Sequence, residues 1–228
     1  MKKRLLVFTM LAVCLFCLTA CGKSSINLSD YLIEERNNLF TAQDNLYSVT
    51  FSSGMRENNY AYDGNIDEKV EFGVLTLMRN DSNPLANDTY SYKITIGEEE
   101  LSGTMEKSPV DNSYAVDIER SVDDNATINV EIKFTGYKFN QELVNTSKDF
   151  SVDKKTALDI TNKELKEDIK NLMSDKNNKI EVVMKILKDS SSSEVNRFYW
   201  YVGVISTNGE TLGLLIDTNT GEIIAKKV

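Results

Sequence analysis

The chain has 228 residues, with 26 Lys+Arg, 35 Asp+Glu, no histidine and a formal net charge of −9. Without histidine there is no serine–histidine or cysteine–histidine triad and no histidine-ligated zinc. A hydrophobic share of 41% beside 27% charged residues belongs to a globular protein, and the lack of a basic block beyond the N-terminus argues against nucleic acid as a partner.

The N-terminus opens with Lys2, Lys3 and Arg4, followed by an uncharged run from Leu5 to Ala20. That run of 16 residues is shorter than the roughly 17–25 needed to span a bilayer, and it ends in Leu18-Thr19-Ala20-Cys21, the pattern of a secretory signal with small residues before the cut. A cysteine directly after the cut resembles the lipobox of bacterial lipoproteins. The resemblance implies that Cys21 carries a diacylglyceryl group with palmitate-type chains, becomes the mature N-terminus and anchors the protein to the extracytoplasmic face of the cell membrane. Cys14, Cys17 and Cys21 are the only cysteines, so cleavage leaves no disulfide and no free thiol. Two acyl chains give a stable anchor where one gives only marginal binding. Gly22 to Ser29 reads as a polar tether.

Charge is unevenly placed beyond the signal. Residues 22–150 hold 11 Lys+Arg against 23 Asp+Glu, a balance of −12, whereas residues 151–228 hold 12 of each. The break predicts two domains with different surfaces.

In the acidic half, Ser29-Asp30 before YLIEERNN predicts a short capped helix. A period of two follows: Tyr47, Val49, Phe51; Tyr90, Tyr92, Ile94, Ile96; Tyr114, Val116, Ile118; and Ile128, Val130, Ile132, Phe134 each alternate with polar or small residues, as strands with one buried face do. Residues 70–78 change phase between Val74 and Leu75, which predicts a bulge near Gly73. Further strands are expected at 101–105 and 137–140. Antiparallel strands with one apolar face must bury it against another layer, so a β-sandwich is expected. The acidic clusters 63–68, 81–88, 98–100 and 123–125 read as Asp/Asn/Gly turns; none has the spacing of a helix-loop-helix calcium loop.

In the neutral half, Ser151 is placed to cap a helix with Ala157, Leu158, Leu165, Ile169 and Leu172 as its apolar stripe. Strands follow at 179–188, 196–206, 211–217 and 221–227, and Asn208-Gly209 predicts a two-residue hairpin turn. Such a turn sets Tyr201 opposite Ile216. It gives Phe198, Trp200, Val202 and Leu215 a face turned away from the helix, a candidate contact patch for a partner. With Ala157 in the helix, the aromatic strand 198–201 and Asp217-x-x-Thr220-Gly221-Glu222, the last third of the chain resembles the PepSY domain. The resemblance implies a small α+β unit and a role in restraining peptidases, which would have to lie on another chain, and it supplies no catalytic residue. Asp217, Asn219 and Glu222 are read as a turn and not a metal site, with Gly221 supplying the unusual backbone angle.

The sequence therefore predicts a signal peptide at 1–21, a tether at 22–29, an antiparallel β-sandwich at 30–148 and a PepSY-like α+β domain at 149–228. It marks no catalytic residue, metal or cofactor. The expected function is a non-catalytic, lipid-anchored envelope binding protein whose partners are the membrane and an envelope protein or peptidase. A sensor or scaffold subunit, or a carboxylate-dependent cell-wall glycan hydrolase, is the alternative.

Overall fold

The computed structural model describes residues 26–59, 61–81, 83, 85–109, 112–175, 177–189 and 197–228. Cys21 and the signal, and the tetraserine 190–193, lie outside the described residues.

Strand β1 (Leu32–Gln43) is the element the alternation pattern does not reveal. Its first half, LIEERNN, is too polar to show a period of two, and helical capping signals precede it. What forms instead is a single 3-10 turn at Leu28–Tyr31, capped by the Asn27 side chain, after which pairing to neighbouring strands overrides local helix preference. Seven further strands follow: β2 (Tyr47–Glu57), β3 (Lys69–Arg79), β4 (Tyr90–Ile96), β5 (Glu99–Lys107), β6 (Tyr114–Ile118), β7 (Ile128–Phe134) and β8 (Tyr137–Asn145).

The expected sandwich is corrected by β1. Seven strands alone would leave two open edges; β1 pairs antiparallel with β2 on one side and with β8 on the other, closing the ring β1-β2-β3-β6-β5-β4-β7-β8 into an eight-stranded antiparallel barrel. Two seams are narrow: β1 meets β8 only at Phe40↔Asn145 and Thr41↔Val144, and β5 meets β6 only at Glu106↔Ala115 and Lys107↔Tyr114. The interior is filled by Phe40, Phe51, Leu75, Leu77, Tyr90, Ile94, Ile128, Ile132 and Phe139, as eight strands allow. The bulge expected near Gly73 is absent, since β3 pairs with β2 in unbroken register. Phe72 is simply an outward residue buried beneath Arg36 and Arg56, while Gly73 faces inward and leaves space for the Phe51 ring, which a Cβ would approach to 2.5 Å.

The C-terminal half also departs from expectation. Helices α1 (Lys154–Glu164) and α2 (Lys166–Leu172) are followed by β9 (Ile180–Lys188), β10 (Phe198–Ser206), β11 (Thr211–Asp217) and β12 (Ile223–Lys227). These strands do not form a separate α+β sheet. β9 pairs in parallel with β1, from Leu32↔Val182 to Arg36↔Lys185, so all twelve strands are one continuous sheet in which β9–β12 extend the barrel wall. The helices cover one face of this extension. The stripe Ala157, Leu158, Leu165, Ile169 and Leu172 is buried as predicted, and Leu28, Leu32 and Leu39 from the N-terminal side share its core. The helix cap is Asp153, whose carboxylate accepts from Thr156 N at 2.7 Å, in place of Ser151.

Candidate functional site: a cationic groove where the sheet forks

Two strands compete for one edge of β1. Upstream of residue 37 that edge takes β9; downstream it takes β8; the change falls at a bulge between Arg36 and Asn38. Beyond Lys185, β9 leaves β1 and continues with β10 alone. The fork opens a groove of about 890 Å³ between the barrel's outer wall and the β9–β10 ribbon.

Strand alternation dictates its lining. Because Val49, Phe51, Leu75 and Leu77 fill the barrel, Thr50, Ser52, Thr76 and Met78 must face outward, and all four line the groove. Because Met184 and Val202 face the helices, Lys185 and Tyr201 must face the groove. Gly203 and Gly213 lie under Tyr201: a Cβ on Gly203 would come within 2.8 Å of its hydroxyl, and one on Gly213 within 3.4 Å of its ring.

The groove's four cations differ. Arg36 is ion-paired with Glu34 at 2.9 Å. Arg79 grips Asp81 with two hydrogen bonds of 2.6 Å, which holds the Asp81 carboxyl well below the usual carboxylate range. Lys185 and Lys188 form no ion pair within 4.0 Å among the described residues. The Lys185 ammonium lies 5.6 Å from the Tyr201 ring centroid. Burial pushes its pKa down and the neighbouring Arg36 charge pushes the same way, while the Glu34 carboxylate opposes them in part. Burial alone lowers Lys188. Ser52 Oγ, buried on the floor, has no hydrogen-bond partner, so no base is poised on it as on a nucleophile.

The proposed contact patch falls elsewhere. Phe198, Trp200 and Val202 are buried in the helix-facing core, and Trp200 Nε1 donates to Val152 O at 2.7 Å. Leu215 is half-buried on the opposite face, across from Tyr201. The cause is the turn. Ser206 N bonds to Glu210 O, leaving the three-residue loop Thr207-Asn208-Gly209 with Gly209 at φ 89°, where a two-residue turn was expected. One residue of register exchanges the two faces of the hairpin, so Trp200, and not Tyr201, pairs with Ile216.

Turns account for most of the acidic segments, but in the cluster 98–100 only Glu98 lies in a turn, Glu99 and Glu100 opening β5. Asp63 accepts from Asn65 N, and Asp81 from Asn83 N. Asp217 accepts from Asn219 N at 2.9 Å and Thr220 N at 3.0 Å, with Gly221 at φ 74°. Among the described residues no three acidic or sulfur side chains converge as metal ligands.

The groove residues carry no motif. Arg36 lies in the segment that reads as helix, and Ser52 reads as the polar half of an amphipathic strand. The one available signal is Lys185 and Lys188 within the otherwise apolar run VVMKILK. Compared with protein-family models, curated proteins and solved structures, the chain finds no match.

Proposed function

We propose that this protein is a non-catalytic binding protein held at the extracytoplasmic face of the cell membrane by acyl chains on Cys21, with the groove at the sheet fork as its ligand site. The observation that carries the reading is the groove itself: about 890 Å³ lined by hydroxyls, an aromatic ring and two lysines that form no ion pair among the described residues. The barrel's interior is packed with apolar side chains, and another pocket on its wall, near Thr41 and Val144, is about 310 Å³, about a third of the groove's size. Among the described residues Ser52 Oγ has no base against it, and the chain has no histidine. Among the described residues no helix is long and apolar enough to cross a membrane, so the anchoring rests on the sequence pattern around Cys21.

Two measurements test this. Cys21→Ala is expected to leave an uncleaved, mislocalised precursor; normal processing and membrane retention would refute the anchor. Native mass spectrometry of protein extracted from its own membrane should show a bound small molecule that disappears in Thr76→Trp, which fills the groove. Absence of any groove-dependent ligand would refute the binding role.

A further inference from the structure

Resting on the reading of the groove as a ligand site, we propose that its ligand is an anionic, hydroxyl-rich small molecule, a sugar or polyol bearing a phosphate or carboxylate, with the charged group seated by Lys185, Lys188 and Ser52. The first support is charge. Several lysines of the chain are matched by carboxylates, as in Lys93–Glu100 at 2.7 Å and Lys154–Glu35 at 2.6 Å, and most of the others without an ion pair are exposed. The two groove lysines are half-buried and form no ion pair among the described residues, in a protein of net charge −9. A half-buried ammonium loses hydration, and a nearby cation such as Arg36 compounds the cost; an arriving anion offsets both.

The second support is independent of charge. Ser52 Oγ is buried, its residue only 7% exposed, and it bonds to nothing. Buried hydroxyls are almost always paired, so an orphan in a groove floor points to a partner supplied from outside. Beside it, Thr50 and Thr76 face each other in register across β2 and β3, extending a row of donors and acceptors suited to ligand hydroxyls.

The floor also says what the ligand is not. Strand β2 is paired on both edges, with β1 and with β3, so the floor has no free ladder for an extended peptide to join, and the edge of β9 released by β1 beyond Lys185 runs only through residues 186–188. Recognition falls to side-chain hydroxyls and ammoniums, and the volume suits one small molecule.

Isothermal titration of the detergent-extracted full chain at low ionic strength tests this with glycerol 1-phosphate, gluconate, inorganic phosphate and glycerol. Glycerol 1-phosphate or gluconate should bind at least about tenfold more tightly than glycerol, and whichever is tighter identifies phosphate or carboxylate as the charged group. Replacing Lys185 and Lys188 together by Ala should weaken that binding about tenfold or more while a cooperative melt is retained, and the paired Lys→Arg variant should restore it. The paired Lys→Gln variant, which keeps the side-chain length, serves if the alanine pair does not fold. Ser52→Ala should cost about threefold to tenfold. Glycerol binding as tightly as its phosphate, or anion binding indifferent to both lysines, overturns the proposal. Failure of every anion while a Thr76→Trp-sensitive ligand persists refutes the anionic class and leaves the binding role standing; loss of that ligand as well refutes the role itself.

Discussion

The barrel and its four-stranded extension solve the same problem in different ways. In the barrel each strand edge is taken by a neighbour and each inward side chain meets others, so β1–β8 complete themselves. The extension has no such closure. It borrows β1 for one edge, requires α1 and α2 to cover one face, and leaves its other face to Lys185, Tyr201, Leu215 and two glycines. The groove lies at neither centre but where the two solutions meet, because one edge of β1 cannot serve β8 and β9 at the same residues. A well-packed closed barrel has no room for a ligand; a sheet that forks makes room without a cavity in its core.

The sharpest way to break this comparison is at Gly54, opposite Arg36 beside the bulge. A Cβ there would land on the carbonyl oxygen of Glu35, a backbone atom of β1 that cannot move aside as a side-chain tip can. Gly54→Ala should cost about 4 kcal/mol or more, the range reserved for backbone and core disruption. Because β1 belongs to both halves, barrel and extension should be lost together, with far-ultraviolet circular dichroism and Trp200 fluorescence giving coincident urea transitions. Near-native stability, or loss of only one half, would contradict the role given to β1.

A smaller loss, confined to the extension's core, is expected from Trp200→Ala, at about 3–5 kcal/mol. Trp200 is 2% exposed and also satisfies the Val152 carbonyl. Its emission in the native protein should be blue-shifted and shielded from quencher; a red, quenchable emission would return Trp200 to the surface patch the sequence suggests.

That exchange of faces illustrates what could be read beforehand. Strands β2, β4, β6 and β7 announced themselves through alternation, since one face of each is buried, and the stripe of α1 and α2 through its helical spacing; β5, where only Met105 is buried, carries no such signal. Closure was not legible, because alternation reports a buried face and says nothing about strand edges. The closing strand was also disguised: Glu34, Glu35, Arg36 and Asn38 in β1 are polar for reasons of the fork and ion pairing, so its first half has no period. The hairpin failed by a single residue, because Asn208-Gly209 fits both a two-residue turn and the last two positions of a three-residue loop with Gly209 left-handed. The groove was invisible for a third reason. Its residues come from separate strands and converge only through topology.

Back at the extension, its helix start should matter modestly. Asp153→Ala removes the cap of α1 and should cost about 1 kcal/mol near neutral pH. The Thr156 amide holds the Asp153 carboxyl below its ordinary value of 3.8. A depressed carboxyl contributes stability that is fully present above the unfolded value and is lost as pH falls through the folded one. The gap between wild type and Asp153→Ala should therefore close as pH drops below about 4. A gap that is constant down to pH 2 would show that the charge is not what caps the helix.

The smallest expected effect concerns the clasp that ties the loop between β2 and β3 to the extension. Glu181, on the groove-side face of β9, accepts a hydrogen bond from Gly64 N, and Lys179 Nζ reaches Asn65 Oδ1 at 2.8 Å. Glu181 is 1% exposed, and its second oxygen, Oε2, has no partner. Burial raises its pKa first; the Glu57 charge adds to this, and the Gly64 amide opposes it. With a folded pKa above the unfolded one, the native state holds the proton more tightly than the unfolded chain, so stability rises as pH falls through the folded value toward the unfolded one. The ionised form is the burden at neutral pH. Glu181→Gln retains an oxygen for Gly64 N, removes the buried charge and sets an amide donor toward the carboxylate of Glu57. It should stabilise the protein by about 0.5 kcal/mol at pH 7, and the gain should shrink as pH falls toward 4.5, the ordinary value, flattening the stability profile between those two pH values. Urea titrations at the two pH values read the difference directly. A variant less stable than wild type at both would show that the ionised carboxylate, held by the Gly64 amide, is what fastens the barrel's loop to the extension.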